Sequence, residues 1–153
     1  MTHPSRRSAV AGLLALPLAA HAAAMPSSSE AELLKVREGA WRDWFGGNRR
    51  ELMALLPEDF VGIGAGGGAG QSRAETIAPS EAFAAAGGKL TNLAFNDNRI
   101  QRIESVAVIY CGFTFTTTDK AAVTNAVTGR ATEVFFWSGK AWSHPSWHPD
   151  SGR

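Results

Sequence analysis

The sequence predicts an α+β fold in which helices come first and a mostly antiparallel sheet follows. Near the start, apolar residues recur every three or four positions, and a glycine pair and a proline end those segments. The later half is instead rich in β-branched and aromatic residues, which favour strands. Helices and strands that are segregated along the chain indicate an α+β domain.

The first helix is predicted to begin at Ser29. The pattern Ser-Glu-Ala-Glu is a capping box, in which the Ser29 hydroxyl accepts a hydrogen bond from a backbone amide and Glu32 reaches back. Two glycines at positions 46–47 end this helix, because glycine adopts the left-handed cap at little cost. A shorter helix over residues 48–56 ends at Pro57. The apolar stripe of the first helix consists of Leu33, Val36, Ala40, Trp41 and Trp44.

The remainder of the chain is predicted to form one more helix and a run of strands. A short strand over residues 60–63 precedes a glycine-rich loop over residues 64–70. We expect a third helix over residues 80–86, with Pro79 interrupting the segment before it. Later strands are predicted over residues 90–102, 106–117, 127–137 and 141–148.

Two of the predicted strands are apolar on both faces, which indicates that both faces of the sheet are covered. Residues 109–113 and 134–137 carry this pattern. The helices cover one face, and a second copy of the chain is a natural cover for the other. The sequence therefore predicts a homodimer.

Residues 1–24 have the order of regions found in a secretory signal peptide. Two arginines at positions 6–7 precede an apolar stretch over residues 9–20, and small residues that suit cleavage follow. The arginine pair also fits a twin-arginine signal, so the export route stays open. The apolar stretch is shorter than the roughly 20 residues that span a bilayer. We expect a mature domain over residues 25–153 that is periplasmic or secreted, with no membrane attachment after cleavage.

Charge and cysteine content exclude several classes of partner. The formal net charge is only +1, without the clustered basic residues that dominate nucleic-acid binding. Cys111 is the single cysteine, so no disulfide can form within the chain. We expect Cys111 to be a small apolar side chain inside a strand.

Two motifs suggest cofactors, and neither has the required context. Residues 62–67 match the glycine pattern of dinucleotide sites, but no parallel βαβ unit is predicted around them. His144 and His148 would lie roughly 13 Å apart on an extended strand, and zinc requires further ligands. We therefore predict no cofactor and no metal.

Several local patterns, taken in order, resemble the nuclear transport factor 2-like superfamily, above all its SnoaL-like and SgcJ/EcaC-type small bacterial domains. The resemblance implies a cone-shaped fold, in which a curved antiparallel sheet wraps around the N-terminal helices and leaves a cavity at the open end. The patterns that carry it are Trp41 and Trp44 in the first helix, Leu52, Leu55, Leu56 and Pro57 with Glu58, Asp59 and Phe60 after them, residues 106–112, residues 129–134, and Gly139-Lys140-Ala141-Trp142 followed by His148.

The resemblance leaves two classes of function open, because members include isomerases, dehydratases, cyclases, hydrolases and non-catalytic binding domains. The first is an exported pocket protein that acts on a small organic molecule by cofactor-free acid–base chemistry. The alternative is a non-catalytic ligand-binding or dimerisation domain. Residues 61–66 lack the carboxylate that ketosteroid isomerase-like members carry after their first strand, which favours the alternative.

The resemblance supplies one candidate residue, and side-chain chemistry supplies the others. His148 would serve as the base or acid, since a neutral imidazole titrates near neutral pH. Tyr110 would polarise a substrate, and Arg130 would hold an anionic group. The ordinary alternatives are a hydrogen-bonded histidine at the end of a strand and a salt bridge at the rim. The full set of predicted ligand-pocket residues besides His148 is Trp41, Trp44, Asp59, Tyr110 and Arg130.

Overall fold

The computed structural model describes residues 29–64 and 66–151. The predicted signal peptide lies outside these residues. None of the described helices is both long and apolar enough to cross a membrane. The elements are, in order, α1 (Glu30–Gly46), α2 (Arg49–Leu55), β1 (Val61–Gly62), α3 (Arg73–Ala85), β2 (Lys89–Ile103), β3 (Val106–Thr118), β4 (Thr124–Trp137) and β5 (Trp142–Asp150).

The five strands form one sheet in the order β1-β5-β4-β3-β2. β1 runs parallel to β5, and the other neighbouring pairs are antiparallel. Register shifts interrupt the β2–β3 ladder near Asn96 and the β4–β5 ladder near Phe136, and such bulges bend a sheet. The order of elements and the curved, mostly antiparallel sheet confirm the predicted fold class.

The N-terminal helices pack against one face of this sheet, which we call the inner face. Leu33, Trp41 and Phe45 of α1 join Ile109 and Phe113 of β3 in the main apolar core. Burying each large apolar side chain contributes roughly 1.5–3 kcal/mol, so this contact anchors α1 across the sheet. A second core cluster joins α2 and α3 to the sheet and consists of Leu52, Leu56, Phe60, Ile77 and Trp147.

Alternation along β3 and β4 determines which side chains face the helices. In β3, Ile109 and Cys111 are buried on the inner face, whereas Tyr110 between them is 45% exposed. In β4, Glu133 is buried and Phe136 is exposed. Even-numbered residues of these two strands therefore lie on the opposite side of the sheet, the outer face.

The third helix is longer than the sequence suggested. It begins at Arg73 because Ser72 and Glu75 form a complete capping box. Pro79 lies inside the helix and removes one backbone hydrogen bond, yet it does not interrupt it. Tertiary contacts hold the helix on both sides of the proline, since Ile77 is buried and the Ser80 hydroxyl donates to the backbone of Trp44. The prediction that the helix begins at residue 80 was wrong for this reason.

Candidate functional site

A cavity of about 280 Å³ lies between the inner face of the sheet and helices α1 and α3. Asn125 and Pro79 are exposed lining residues and mark where the cavity meets solvent. Its lining residues are Trp41, Trp44, Phe45, Gly64, Gln71, Thr76, Pro79, Phe83, Phe113, Phe115, Thr117, Asn125, Trp147 and Pro149. A cavity of about 150 Å³ can hold benzene, so this one has room for a molecule with two fused rings.

Aromatic side chains form most of the cavity wall, and they hold one another in place. The Trp41 and Phe113 rings are 4.8 Å apart, and so are the Phe45 and Phe115 rings. The Trp44 indole is also anchored, because its Nε1–H donates to the Thr76 carbonyl at 3.0 Å. A wall of mutually packed rings is a rigid surface for another flat apolar molecule.

The polar groups in the lining are all neutral. Besides the indole N–H groups of the three tryptophans, they are the amides of Gln71 and Asn125 and the hydroxyls of Thr76 and Thr117. None of the described lining residues carries an ionisable side chain. The cavity can therefore offer hydrogen bonds to a ligand, but the lining itself supplies neither a counter-charge nor a proton-transfer group.

A second polar region, which we call the buried polar cluster, lies behind the aromatic wall. It consists of Arg37, Trp41, Cys111, Glu133 and His144. The Trp41 Nε1–H donates to a Glu133 carboxylate oxygen at 2.9 Å, while the indole ring lines the cavity. The Arg37 guanidinium donates to the Cys111 sulfur at 3.2 Å and lies 3.9 Å from Glu133. His144 Nε2 is also 3.9 Å from Glu133.

Burial shifts the pKa values in this cluster. Desolvation raises the pKa of Glu133 to about 7, although the Trp41 hydrogen bond and the Arg37 charge oppose the shift. The pKa of the Cys111 thiol rises to about 11, mainly through desolvation and secondarily through the Glu133 charge. A thiol with such a pKa is protonated at neutral pH and is a poor nucleophile.

His144 remains neutral for the same reason. Complete burial lowers the pKa of its imidazole to about 3, and the Ser146 backbone offsets only a part of this shift. The ring stacks on Phe135 at 4.1 Å, and neither ring nitrogen makes a hydrogen bond of normal length and angle to the described residues. His144 thus packs as an aromatic side chain rather than as an exposed proton carrier.

The residues predicted from the sequence occupy three different places. Trp41 and Trp44 line the cavity. Asp59 is exposed in the turn that follows α2. The structure does bring Tyr110, Arg130 and His148 together, but on the outer face.

Strand register explains the position of these three residues. Tyr110 pairs with Thr132, and Thr132 pairs with His148 across β4 and β5. Arg130 lies two positions from Thr132 on β4 and is exposed. Each of the three alternates with inward-facing neighbours, so none of them lines the cavity. A role in catalysis or ligand binding stays a prediction for all three, and it would concern the outer face.

Sequence reasoning missed Arg37 and Glu133, although both leave a signal. Arg37 falls one helical turn after Leu33 and just before Ala40, inside the apolar stripe of α1. Glu133 alternates with Ala131 and Phe135 on the buried side of β4. A charged residue in a buried register position indicates a partner on another element. The local pattern does not identify the partner, because the hydrogen bonds from Arg37 to Cys111 and from Trp41 to Glu133 join residues 74 and 92 positions apart in the sequence.

Comparison with known proteins identifies the family. Residues 39–149 match the SnoaL-like domain family, so the chain belongs to it and hence to the nuclear transport factor 2-like superfamily. This confirms the resemblance. No curated protein shows significant sequence similarity to the chain.

Solved structures share the fold. An NTF2-like protein from Cytophaga hutchinsonii has a TM-score of 0.67 at 16% identity, over 82% of this chain and 100% of its own. A protein from Xanthomonas campestris is described as a candidate calcium/calmodulin-dependent protein kinase II association domain. It has a TM-score of 0.65 at 25% identity, and the match covers 85% of this chain and 93% of its own. A candidate dehydratase from Streptomyces avermitilis has a TM-score of 0.63 at 16% identity, and the match covers 80% of this chain and 97% of its own.

Proposed function

We propose that this chain binds an uncharged, aromatic small molecule in the cavity and does so without acid–base chemistry of its own. The observation that carries this proposal is the lining, in which aromatic rings dominate and all polar groups are neutral. Of the two classes left open by the sequence, this favours the non-catalytic one. A charged ligand would lose its hydration without gaining a counter-charge, which costs several kcal/mol.

The buried polar cluster gives no comparable support for catalysis. Glu133 has a pKa near neutrality, which suits a general acid or base. However, its side chain is fully buried, and the Trp41 indole lies between it and the cavity. A substrate in the cavity would therefore contact the indole ring and not the carboxyl group.

A pair of substitutions on adjacent residues of β3 tests the binding proposal. Thr117 is buried and lines the cavity, whereas Thr116 is its neighbour on the outer face. Thr117→Phe fills part of the cavity, so we expect the affinity for 2-ethylnaphthalene to fall at least about tenfold, as blocked apolar contacts predict. Thr116→Phe adds the same ring on the other side of the sheet and serves as the matched control.

Equilibrium dialysis gives the affinities, and circular dichroism verifies that both variants fold. Equal binding by the wild type and both variants would show that the probe binds elsewhere. An absence of binding to the wild type would overturn the proposal itself.

A second proposal concerns self-association through the outer face. Large apolar side chains are exposed there, namely Ile103 at 57%, Tyr110 at 45% and Phe136 at 43%. The similar Xanthomonas campestris structure is described as a candidate association domain, which agrees with a surface that contacts another chain. A homodimer through this face would cover these side chains.

Light scattering tests the homodimer, because Phe136→Asp places a charge on the outer face without touching the inner one. We expect a dimer for the wild type and a monomer for the variant at micromolar concentration. Lys140→Asp in the β4–β5 turn is the control and should leave the dimer intact. A wild-type monomer would contradict this proposal.

We also propose export of the chain, on the pattern of residues 1–24 alone. Mass spectrometry of the protein from the periplasmic fraction should find a new N-terminus near residue 25. An intact Met1 in a cytoplasmic fraction would contradict export.

A further inference from the structure

Gln71 lies at the edge of the cavity with its backbone fixed on both sides. The backbone N–H of Gln71 donates to the Gly62 carbonyl at 2.6 Å, and the backbone carbonyl of Gln71 accepts from the Gly62 N–H at 2.9 Å. Gly62 pairs in turn with Trp147 of β5, which belongs to the aromatic wall. The position of Gln71 relative to the cavity is therefore set by the sheet and not by a free loop.

The Gln71 side chain has no partner within the described part of the chain. It is half-buried, and its amide makes no hydrogen bond to the described residues. A Cβ placed on Gly64 would lie 3.8 Å from both the nitrogen and the oxygen of this amide. Because Gly64 carries no side chain, it does not cover the amide at the cavity edge.

Two of the other polar lining groups are less suited to a ligand. The Thr76 hydroxyl is wholly buried beside Gly62, so an entering molecule does not reach it. Asn125 is exposed, and water can satisfy its amide whether or not a ligand is present. Of the two side-chain amides in the described lining, only that of Gln71 is partly buried, and its backbone is held by the sheet.

We infer that the Gln71 amide donates a hydrogen bond to an oxygen of the ligand, and that the natural ligand is an uncharged aromatic compound carrying a carbonyl or hydroxyl group. This inference rests on the proposed function. A purely hydrocarbon ligand would cover the amide and leave it unpaired, which weakens its binding relative to a ligand that pairs the amide. Sites with a hydrogen-bonding group that must be satisfied discriminate against analogues that lack the matching atom.

Two probes of nearly the same shape measure this effect. 2-Acetylnaphthalene carries a ketone where 2-ethylnaphthalene carries a methylene group. The two probes differ in solubility, which alone changes their affinities. We therefore compare the ratio of the two affinities in the wild type with the same ratio in a variant, because the difference in solubility then cancels. Gln71→Met keeps the length of the side chain and removes the amide. We expect this variant to lower the ratio, ketone over hydrocarbon, by about tenfold.

The control is Gln101→Met, which makes the same substitution at an exposed residue of β2 outside the lining and should leave the ratio within about twofold of the wild type. Gln71→Glu replaces the N–H donors by an acceptor with almost no change in shape, and it should lower the ratio as Gln71→Met does. It answers the question even if Gln71→Met fails to fold. An unchanged ratio in the Gln71 variants, or an equal loss in Gln101→Met, would overturn the inference. If neither probe binds the wild type, the proposed function fails first.

Discussion

The cavity and the buried polar cluster lie back to back, and they differ in charge and in access. The cavity meets solvent and is lined by neutral groups, whereas the cluster holds Arg37, Glu133 and His144 out of contact with solvent. Trp41 belongs to both, since its ring faces the cavity and its Nε1–H bonds Glu133. The contrast teaches that a carboxyl with a pKa near 7 does not mark an active site unless a substrate can reach it.

The largest expected effect comes from removing the cation of the cluster. Arg37→Met removes the hydrogen bonds that the guanidinium donates to Cys111 and Asn98. It also removes the stack on Phe95, where the central carbon of the guanidinium lies 3.5 Å from the ring centroid. Deleting one member of a buried charged network leaves its partners unsatisfied and costs about 3–5 kcal/mol. We expect urea denaturation to show a loss of this size in the free energy of unfolding.

The matched control for Arg37→Met lies on the same helix. Arg42 is exposed and pairs with Glu38 one turn away, so Arg42→Met should cost about 0.5 kcal/mol or less. Equal effects of the two substitutions would show that the cluster contributes no special stability. At temperatures where the Arg37 variant is folded, it should bind 2-ethylnaphthalene as the wild type does.

A pH series on Glu133→Gln has the next largest effect. The pKa of Glu133 rises from 4.5 to about 7 on folding, so the folded chain holds a proton that the unfolded chain releases. Stability from this group is therefore present below pH 4.5 and lost as the pH rises through 7. At 1.36 kcal/mol per pKa unit, the loss is on the order of 3 kcal/mol.

Gln cannot titrate, so the stability of Glu133→Gln relative to the wild type should increase by that amount between pH 4.5 and 8. Glu81→Gln, in an exposed pair with Arg49, is the control and should show no such trend. The opposite trend in chemical denaturation would mean that Glu133 is held as a paired carboxylate.

The imidazole of His144 should produce a smaller effect with the opposite sign. Its pKa falls from 6.5 to about 3 on folding, so the unfolded chain gains a proton first as the pH drops. Stability from this group is complete above pH 6.5 and is lost toward pH 3. His144→Phe keeps the stack on Phe135 and should gain about 2 kcal/mol relative to the wild type between pH 7.5 and 5. A constant difference across this range would contradict the account of a neutral, buried imidazole.

Local patterns predicted most of the fold. The cap at Ser29, the glycine pair that ends α1 and the β-branched strand β3 all appear where the sequence indicated. The start of α3 was predicted wrongly, because Pro79 indicated an interruption and the Ser72 capping box was not recognised in the sequence. Local propensity could not reveal the contacts that Ile77 and Ser80 make with the rest of the protein, and these hold the helix around the proline.

Two residues that line the cavity follow from the sequence, and its polar groups do not. Trp41 and Trp44 follow from the apolar stripe of α1, which must face the sheet. Strands that are apolar on both faces do not reveal which face is inside. Because neighbouring side chains of a strand point to opposite faces, an error of one residue in the assignment moves Tyr110 from the cavity to the outer face. The position of Gln71 at the cavity depends on a single backbone bridge to Gly62, and nothing in the local sequence predicts this bridge.

The central claim is that the cavity selects uncharged aromatic molecules, and a comparison of two probes tests it most directly. 2-Acetylnaphthalene and naphthalene-2-carboxylate have nearly the same shape, but the second is an anion at pH 7.5. Because the described lining offers no cation to replace its hydration, the wild type should bind the anion at least about 100-fold more weakly in equilibrium dialysis. Equal or tighter binding of the carboxylate would contradict the account.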